Sequence, residues 1–279
     1  MENKIILITG ANSGIGKATA TALAEMGAHV VMMSRDMNRG EEARQEVMFI
    51  SKSNQVDLLQ CDLASLSDVR RFSCDFIARY SRLDVLINNA GIYTEKRMET
   101  VDGYEYQIGV NHLGHFLLTR MLLDLMKKSS PSRIINVASG AHFGGKIDFA
   151  DIQSTRKYSG WKAYAQAKLA NILFTYELAH RLEDTGVTAN CLHPGFVNSR
   201  FGVNRSTGKA NLMMKLMKPF TIEPSAGAET SIYLAASPEV EGVTGKYFAK
   251  RKEKASSKAS YDLVSAEKLW NLSEALTAK

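Results

Sequence analysis

The fold of this chain is decided by the stretch Lys4-Ile-Ile-Leu-Ile-Thr-Gly-Ala-Asn-Ser-Gly-Ile-Gly16. An apolar, β-rich run leads into a glycine-rich turn, and apolar residues then recur at helical spacing as far as Met26. Gly10, Gly14 and Gly16 lack the Cβ atoms that would keep a backbone away from a pyrophosphate, and the N-terminus of a helix attracts its charge. A strand, a glycine turn and a helix in this order predict a dinucleotide site, which also includes Asn12, Ser13 and Ile15.

The same alternation of short apolar runs and longer helical patterns continues along the chain and is typical of βαβ units. The predicted strands are Lys4–Thr9, Ala28–Met33, Val56–Gln60, Val85–Asn88, Arg133–Val137 and Thr188–His193. The helices between them include Gly16–Met26, Arg39–Ser51, Leu66–Tyr80 and Asn111–Lys127. No linker or shift in composition interrupts the pattern. We therefore expect an α/β, single-domain Rossmann fold over residues 1–279, with a doubly wound parallel sheet flanked by helices.

Composition excludes several other classes of protein. The chain has 279 residues, of which 45% are hydrophobic and 23% charged, which excludes a disordered chain or a coiled coil. The net charge of +6 is scattered, and the basic stretch Lys250–Lys258 has no interleaved aromatic residues, so we expect no nucleic-acid partner. Three cysteines show no metal-binding spacing, and no apolar stretch is long enough to span a membrane. The enzyme motif begins within the first ten residues, so we expect no signal peptide and a cytoplasmic location.

The end of the second strand indicates which dinucleotide is bound. Met33-Ser34-Arg35 stands near the position where an acidic residue would hold the ribose 2′-hydroxyl of NAD. Ser34 replaces that acid, and the guanidinium of Arg35 can grip a 2′-phosphate that a carboxylate would repel. The alternative is that Arg35 is only a surface charge. We predict NADP(H), in preference to NAD(H).

Tyr164 and Lys168 are the candidate catalytic pair. They stand four residues apart in a helical stretch, so both side chains lie on one face. A nearby lysine charge favours the phenolate by about two pKa units, while burial of the phenol opposes this shift. Tyr158 and Lys162 have the same spacing, but Ser159-Gly160 between them indicates the entry to the helix. We therefore choose Tyr164 as the general acid/base.

Two other polar residues lie where they could assist this chemistry. Ser139 closes the fifth strand, and its hydroxyl could stabilise a developing oxygen charge, although an ordinary turn serine is the alternative. Asn111 lies in a largely apolar helical stretch, where its amide is either a satisfied core group or part of a proton relay. His112 and His115 have no third ligand of matching context, so no metal is expected.

Together these motifs resemble the short-chain dehydrogenase/reductase family, and the resemblance covers essentially the whole chain. It is carried, in this order, by Thr9-Gly10-x3-Gly14-x-Gly16, Asn88-Asn-Ala-Gly91, Asn111, Ser139, Tyr164-x3-Lys168 and Pro194-Gly195. The longer runs Val110-Asn-His-Leu-Gly-His-Phe-Leu-Leu-Thr119, Lys168-Leu-Ala-Asn171 and His193-Pro-Gly195 are similar to the retinol-dehydrogenase-like branch.

The resemblance implies a role for each matched residue in hydride transfer between the nicotinamide and a carbonyl or alcohol. Tyr164 would donate or accept the proton, Lys168 would lower its pKa and hold the nicotinamide ribose, Ser139 would orient the carbonyl, and Asn111 would anchor a water relay. The remaining implied cofactor contacts are Asp62 and Leu63 at the adenine, Asn89, Ala90 and Gly91 at the ribose region, and Pro194, Gly195 and Val197 near the nicotinamide.

Three features of the sequence depart from the pattern of this family. Animal retinol dehydrogenases carry an N-terminal membrane anchor, whereas this sequence opens directly with the first strand. Ala138 replaces the first serine of the usual pair, which leaves Ser139 in place, and Ser199 stands where many relatives have threonine. The missing anchor makes retinoid metabolism and membrane residence open questions for this chain.

Substrate choice is expected to depend on residues 198–222, a predicted lid that mixes methionines and leucines with basic residues. This composition favours a lipophilic aldehyde, ketone or alcohol, although an ordinary amphipathic helix and peripheral membrane contact are alternatives. A catalytically silent cofactor sensor or interaction protein with the same fold is the rival function. The resemblance also allows a homo-oligomer, while the substrate itself and the direction of the reaction stay open.

Overall fold

In the computed structural model, which describes residues 1–195 and 222–278, eight strands form one continuous sheet. They run in the spatial order β3-β2-β1-β4-β5-β6-β7-β8, and every neighbouring pair is parallel except β7 and β8. The strands are β1 Ile5–Thr9, β2 His29–Ser34, β3 Val56–Gln60, β4 Val85–Asn88, β5 Ser132–Val137, β6 Val187–Leu192, β7 Tyr247–Ala249 and β8 Lys252–Glu253. The strand order reverses between β1 and β4, which opens a crevice at the carboxyl edge of the sheet.

Helices cover both faces of the sheet because the strands are apolar on both sides. Leu7 and Leu86 pack into a core on one face, while Ile6, Ile8 and Ile87 pack into a second core on the other. The helices are α1 Gly14–Glu25, α2 Met37–Ser51, α3 Leu66–Arg79, α4 Tyr106–Ile108, α5 Gly114–Lys128, α6 Gly160–Arg181, α7 Pro224–Ala236 and α8 Leu263–Thr277, with a π-helical segment at Gly109–Leu113. This arrangement confirms the predicted α/β fold with a doubly wound sheet.

The last helix, α8, packs across α5 and α6. Its Trp270 is buried against Phe116 and Phe174, and the guanidinium groups of Arg120 and Arg181 lie over the indole ring. Large aromatic side chains bury much apolar area, and cationic groups over their faces add to the attraction. The helix therefore fixes the outer side of the layer that carries the candidate catalytic residues.

The predicted elements agree with the structure to within a few residues, with two kinds of difference. The helix predicted at Asn111–Lys127 begins as the π-helical segment Gly109–Leu113. The short strands β7 and β8 were not among the predicted elements, because two or three residues carry too little pattern. The assignment of residues 1–279 to one domain stays a prediction, because residues 196–221 lie outside the described part of the chain. Among the described residues, no helix has the length and apolar character that crossing a membrane requires.

Candidate active site

The predicted site residues gather at one edge of the sheet because most of them follow the carboxyl ends of neighbouring parallel strands. Gly10 to Gly16 follow β1, Arg35 follows β2, and Asp62 and Leu63 follow β3. Asn89 to Gly91 follow β4, Ser139 follows β5, and Pro194 and Gly195 follow β6. Asn111 lies in the π-helical segment, and Tyr164 and Lys168 lie in α6. The carboxyl edge is the face at which ligands bind in open α/β sheets.

The glycine turn leaves no room for side chains. Gly10 has a φ of +64°, and a Cβ on Gly16 would lie 2.4 Å from the carbonyl oxygen of Gly10. Ser13, the residue before α1, makes no capping hydrogen bond with its side chain, and the first turn of α1 has no acidic residue. The first N–H groups of the helix are therefore free of a side-chain acceptor from Ser13, which suits an anionic group such as a pyrophosphate.

The segment after β4 is tied directly to this turn. The backbone N–H groups of Asn89 and Ala90 both donate to the hydroxyl oxygen of Thr9 at 2.9 Å. The side-chain amide of Asn89 donates to the backbone oxygen of Thr9 at 2.8 Å. The two predicted cofactor segments thus form one hydrogen-bonded unit.

Arg35 lies beside the same turn, since Gly10 and Ala11 donate backbone hydrogen bonds to Met33 at the end of β2. Its guanidinium donates to the hydroxyl of Tyr106 at 3.1 Å and lies 3.9 Å from the carboxylate of Asp62. The side chain is 55% exposed, so the guanidinium can still meet an incoming anion. This geometry leaves the guanidinium open to an anionic group at the end of β2.

Ser139, Tyr164 and Lys168 converge between β5 and α6. The hydroxyl of Ser139 hydrogen-bonds to the phenol of Tyr164 and accepts from the backbone N–H of Ala141 at 3.2 Å. The ammonium of Lys168 donates a hydrogen bond to the backbone oxygen of Val137 at 3.0 Å, and its Nζ lies 5.8 Å from the centroid of the Tyr164 ring. Tyr164 and Lys168 are both buried, as their shared helical face predicts.

Burial controls the protonation of the pair. It raises the pKa of Tyr164 to about 12, although the hydrogen bond from Ser139 opposes the rise. It lowers the pKa of Lys168 to about 8, because a charged amine loses hydration inside the protein. The sequence-based expectation of a phenol pKa lowered by the lysine is therefore not met in this structure, because desolvation raises the pKa of Tyr164. At neutral pH both side chains carry their protons.

Asn111 is held by the loop that follows β4. Its side-chain oxygen accepts from the backbone N–H of Ile92 at 2.7 Å, and its amide donates to the oxygen of the same residue at 3.0 Å. The surrounding π-helical segment shifts the helical hydrogen-bond register, a feature frequent at functional sites. The side chain is thus a satisfied buried group, one of the two alternatives for this amide, and the relay role of Asn111 stays a prediction.

Tyr158, from the competing pair Tyr158 and Lys162, has a structural role instead. The phenol of Tyr158 donates to the buried carboxylate of Glu105 at 3.0 Å and accepts from the amide of Gln107 at 2.8 Å. Helix α6 begins at Gly160, so Tyr158 precedes it, and Lys162 is exposed. These contacts support the choice of Tyr164.

Aromatic side chains surround the phenol of Tyr164. The ring of Tyr93 meets it edge-on at a centroid distance of 5.9 Å, and the ring of Trp161 lies 6.3 Å away. Trp161 and Phe143, four residues after Ser139, are both more than half exposed. Sequence reasoning missed Tyr93 and Trp161, because single aromatic residues in a loop or at a helix start show no period that would mark them.

Part of the predicted site lies outside the described residues. Pro194 and Gly195 follow β6 as expected, whereas Val197 and residues 198–221 of the predicted lid lie in the range 196–221. Ile222, the last lid residue, is described, and a Cβ on Gly195 would meet its side chain at 3.1 Å. Within residues 1–195 and 222–278, no group of three histidine, cysteine or acidic side chains could hold a metal ion.

Comparison with known proteins identifies the family of this chain. The family model described as short chain dehydrogenase matches residues 4–210. The chain is 47% identical to human retinol dehydrogenase 14, over 99% of this chain and 87% of that protein, and 44% identical to mouse retinol dehydrogenase 12, over 97% and 85%.

Solved structures also match this fold. An uncharacterized protein from Mycobacterium Paratuberculosis aligns with a TM-score of 0.80 and 36% identity, covering 100% of this chain and 94% of that one. An NADP active-site complex of RhlG from Pseudomonas aeruginosa aligns with a TM-score of 0.71 and 26% identity, covering 89% and 94%.

Proposed function

Because the chain belongs to the short chain dehydrogenase family, in its retinol-dehydrogenase-like part, we propose that it is an NADP(H)-dependent oxidoreductase. It would transfer a hydride between the nicotinamide and a lipophilic carbonyl or alcohol. The observation that carries this proposal is the convergence of Ser139, Tyr164 and Lys168 at the carboxyl edge of the sheet, the same edge at which the glycine turn lies.

The residues of the turn fit a pyrophosphate, and Arg35 would choose between the two dinucleotides. The start of α1, which has no side-chain cap, would hold the pyrophosphate, and the close packing of Gly16 against Gly10 and Asn89 would keep the turn in the shape that this requires. Arg35, held by Tyr106, would contact the 2′-phosphate of NADP(H). When bound, this cofactor supplies or accepts the hydride.

Tyr164 would exchange the proton with the substrate oxygen. Its pKa of about 12 keeps the phenol protonated at neutral pH, so it is ready to donate to a carbonyl that becomes an alkoxide. The Ser139 hydroxyl, already in contact with the phenol, would orient the same oxygen. Lys168 would stabilise the phenolate that remains, because an ammonium in a low-dielectric site favours a nearby negative charge.

The substrate class follows from the surface around Tyr164. The rings of Trp161, which is more than half exposed, and Tyr93 next to the phenol of Tyr164 favour an apolar ligand over a charged one. The relatives named retinol dehydrogenases are named for a lipophilic alcohol, which supports the same choice. We therefore place lipophilic aldehydes, ketones and alcohols first among the candidates.

A panel of carbonyl compounds tests the proposal. NADPH and NADH consumption would be followed for the wild type and for Tyr164→Phe, with Tyr158→Phe as the matched control. We expect NADPH-dependent reduction of apolar carbonyls that is lost in Tyr164→Phe and kept in Tyr158→Phe. NADPH binding without turnover on any compound would favour a cofactor sensor instead.

Arg35→Ala tests the choice of cofactor. This variant should weaken NADPH binding about tenfold or more and leave NADH binding unchanged, since only the 2′-phosphate contact is lost. Equal affinities for the two cofactors, before and after the substitution, would refute the role of Arg35.

A further inference from the structure

His115 is buried in α5 between two parts of the candidate site. Its Nδ1 lies 3.1 Å from the backbone oxygen of Asn111, and its Nε2 lies 2.9 Å from the hydroxyl oxygen of Thr9. Thr9 is the last residue of β1 and opens the glycine turn. One imidazole therefore links the dinucleotide turn to the backbone of the predicted relay residue.

The neighbouring donors determine the tautomer of this imidazole. The hydroxyl oxygen of Thr9 already accepts from the backbone N–H groups of Asn89 and Ala90 at 2.9 Å, so the hydroxyl must donate its own proton elsewhere. The Nε2 of His115 at 2.9 Å is a better acceptor position than the oxygen of Ile87 at 3.5 Å. Nε2 accepts from Thr9, and Nδ1–H donates to Asn111.

Electrostatics keep this arrangement neutral. Burial, reinforced by the nearby charge of Lys168, lowers the pKa of His115 to about 3. The imidazole holds its single proton throughout the neutral range, and it adds no positive charge next to the catalytic amine. A neutral ring with one donor and one acceptor matches the two contacts that it makes.

We propose that His115 is a positioning residue that fixes the hydroxyl of Thr9 relative to the backbone carbonyl of Asn111. The dinucleotide turn and the π-helical segment are then held as one unit, in the geometry that hydride and proton transfer require. This inference rests on the proposed function for its catalytic part, whereas its cofactor-binding part is independent of turnover.

His112, three residues earlier, provides a matched comparison. It is equally buried, and its Nε2 lies 2.8 Å from the hydroxyl of Ser273 in α8. That bond joins the π-helical segment to the outer helix, away from the glycine turn. Replacing His112 should therefore lower stability and leave the site in place.

Two substitutions separate the two contacts of His115. In His115→Asn, the short amide can still donate to the oxygen of Asn111 but no longer reaches Thr9. In His115→Gln, the longer amide can accept from Thr9 but no longer donates to Asn111. His112→Asn is the control for the loss of a buried imidazole, and thermal melts establish that each variant is folded.

The readouts are the Kd for NADPH, from fluorescence titration, and kcat and KM on a carbonyl that the wild type reduces. We expect His115→Asn to raise the Kd about tenfold, the effect of one lost hydrogen bond, while His115→Gln stays close to wild type. His115→Gln should lower kcat about 10- to 100-fold with little change in KM, because the relay backbone is displaced. His112→Asn should leave the Kd and kcat near wild type.

Two results would overturn the inference. One is that both His115 variants fold and keep the Kd and kcat of the wild type. The other is that the His115 variants lose NADPH affinity and kcat only to the extent that His112→Asn does. If Tyr164→Phe abolishes turnover while the His115 variants keep it, the proposed function stands and this inference fails. If the wild type reduces no carbonyl, the proposed function fails, and the NADPH titration alone decides the role of His115.

Discussion

Lys168 should make the protein less stable at neutral pH than a protein with an apolar residue in its place. The pKa of the free side chain is about 10.5, and burial lowers it to about 8 in the folded protein. At about 1.36 kcal/mol per unit, the buried charge opposes folding by about 3 kcal/mol well below pH 8. Lys168→Met removes this charge, and it also leaves the oxygen of Val137 without its donor, which costs about 1 kcal/mol. We expect a net gain of about 2 kcal/mol at pH 7.

The pH dependence of stability separates the effect of the buried charge from the effect of the lost hydrogen bond. Between pH 8 and 10.5 the unfolded lysine binds a proton that the folded lysine has released, so the stability of the wild type rises with pH in this window. The advantage of the variant should therefore shrink by about 2 kcal/mol between pH 7 and 10, because the hydrogen-bond contribution changes little.

The assay is urea unfolding at both pH values, with Tyr164→Phe as the common background. That background removes the titration of the phenol, whose raised pKa would otherwise lower stability above pH 10. Lys162→Met, which replaces an exposed lysine of the same helix, serves as the control. A constant difference between Lys168→Met and its parent, at unchanged m values, would refute the buried charge.

Three further predictions concern the turn, the competing tyrosine and the far edge of the sheet. Gly16→Ala should weaken NADPH binding at least tenfold in a titration, because its Cβ would clash with the backbone, whereas Gly144→Ala, which has open space, should bind normally. Tyr158→Phe should lower the free energy of unfolding by about 1 kcal/mol and keep kcat, and a loss of kcat would contradict its structural role. Asp84→Asn should destabilise by about 2 kcal/mol at pH 7 in urea unfolding. Burial alone would raise the pKa of Asp84, but its ion pairs and hydrogen bonds lower it overall. The stability difference between wild type and Asp84→Asn should therefore fade as the pH drops below about 4, and an undiminished difference at pH 3 would contradict the prediction.

Local patterns were sufficient to predict the glycine turn and the helix that carries Tyr164, the candidate catalytic tyrosine. The order of strand, glycines and helix at Gly10–Gly16 involves neighbours in sequence, and so does the helix entry at Gly160 that separates Tyr158 from Tyr164. Contacts between distant residues were not predictable. His115 lies 106 residues from Thr9 along the chain, and no spacing rule connects them.

Burial set a second limit on sequence reasoning. Spacing placed the Tyr164 and Lys168 side chains on one helical face, and their charges then predicted a lowered phenol pKa. In the fold both groups are enclosed by the neighbouring strand and loops, so desolvation governs the two pKa values. The degree of enclosure is a property of the packed molecule, and the sequence shows it only after the sheet order is known.

A series of buried polar side chains, joined by hydrogen bonds, connects helices α5 and α6 through strands β4 and β5. The amide of Asn88 in β4 donates to Thr119 of α5 at 2.9 Å and to the oxygen of Asn136 in β5 at 2.8 Å. Asn136 donates in turn to Thr175 of α6 at 2.9 Å. Apolar packing alone tolerates small shifts between helices, whereas a shift here would break these buried hydrogen bonds, so they favour one register. Helix α5 carries His115 and α6 carries Tyr164, and the strands between them therefore hold these two helices at a set separation.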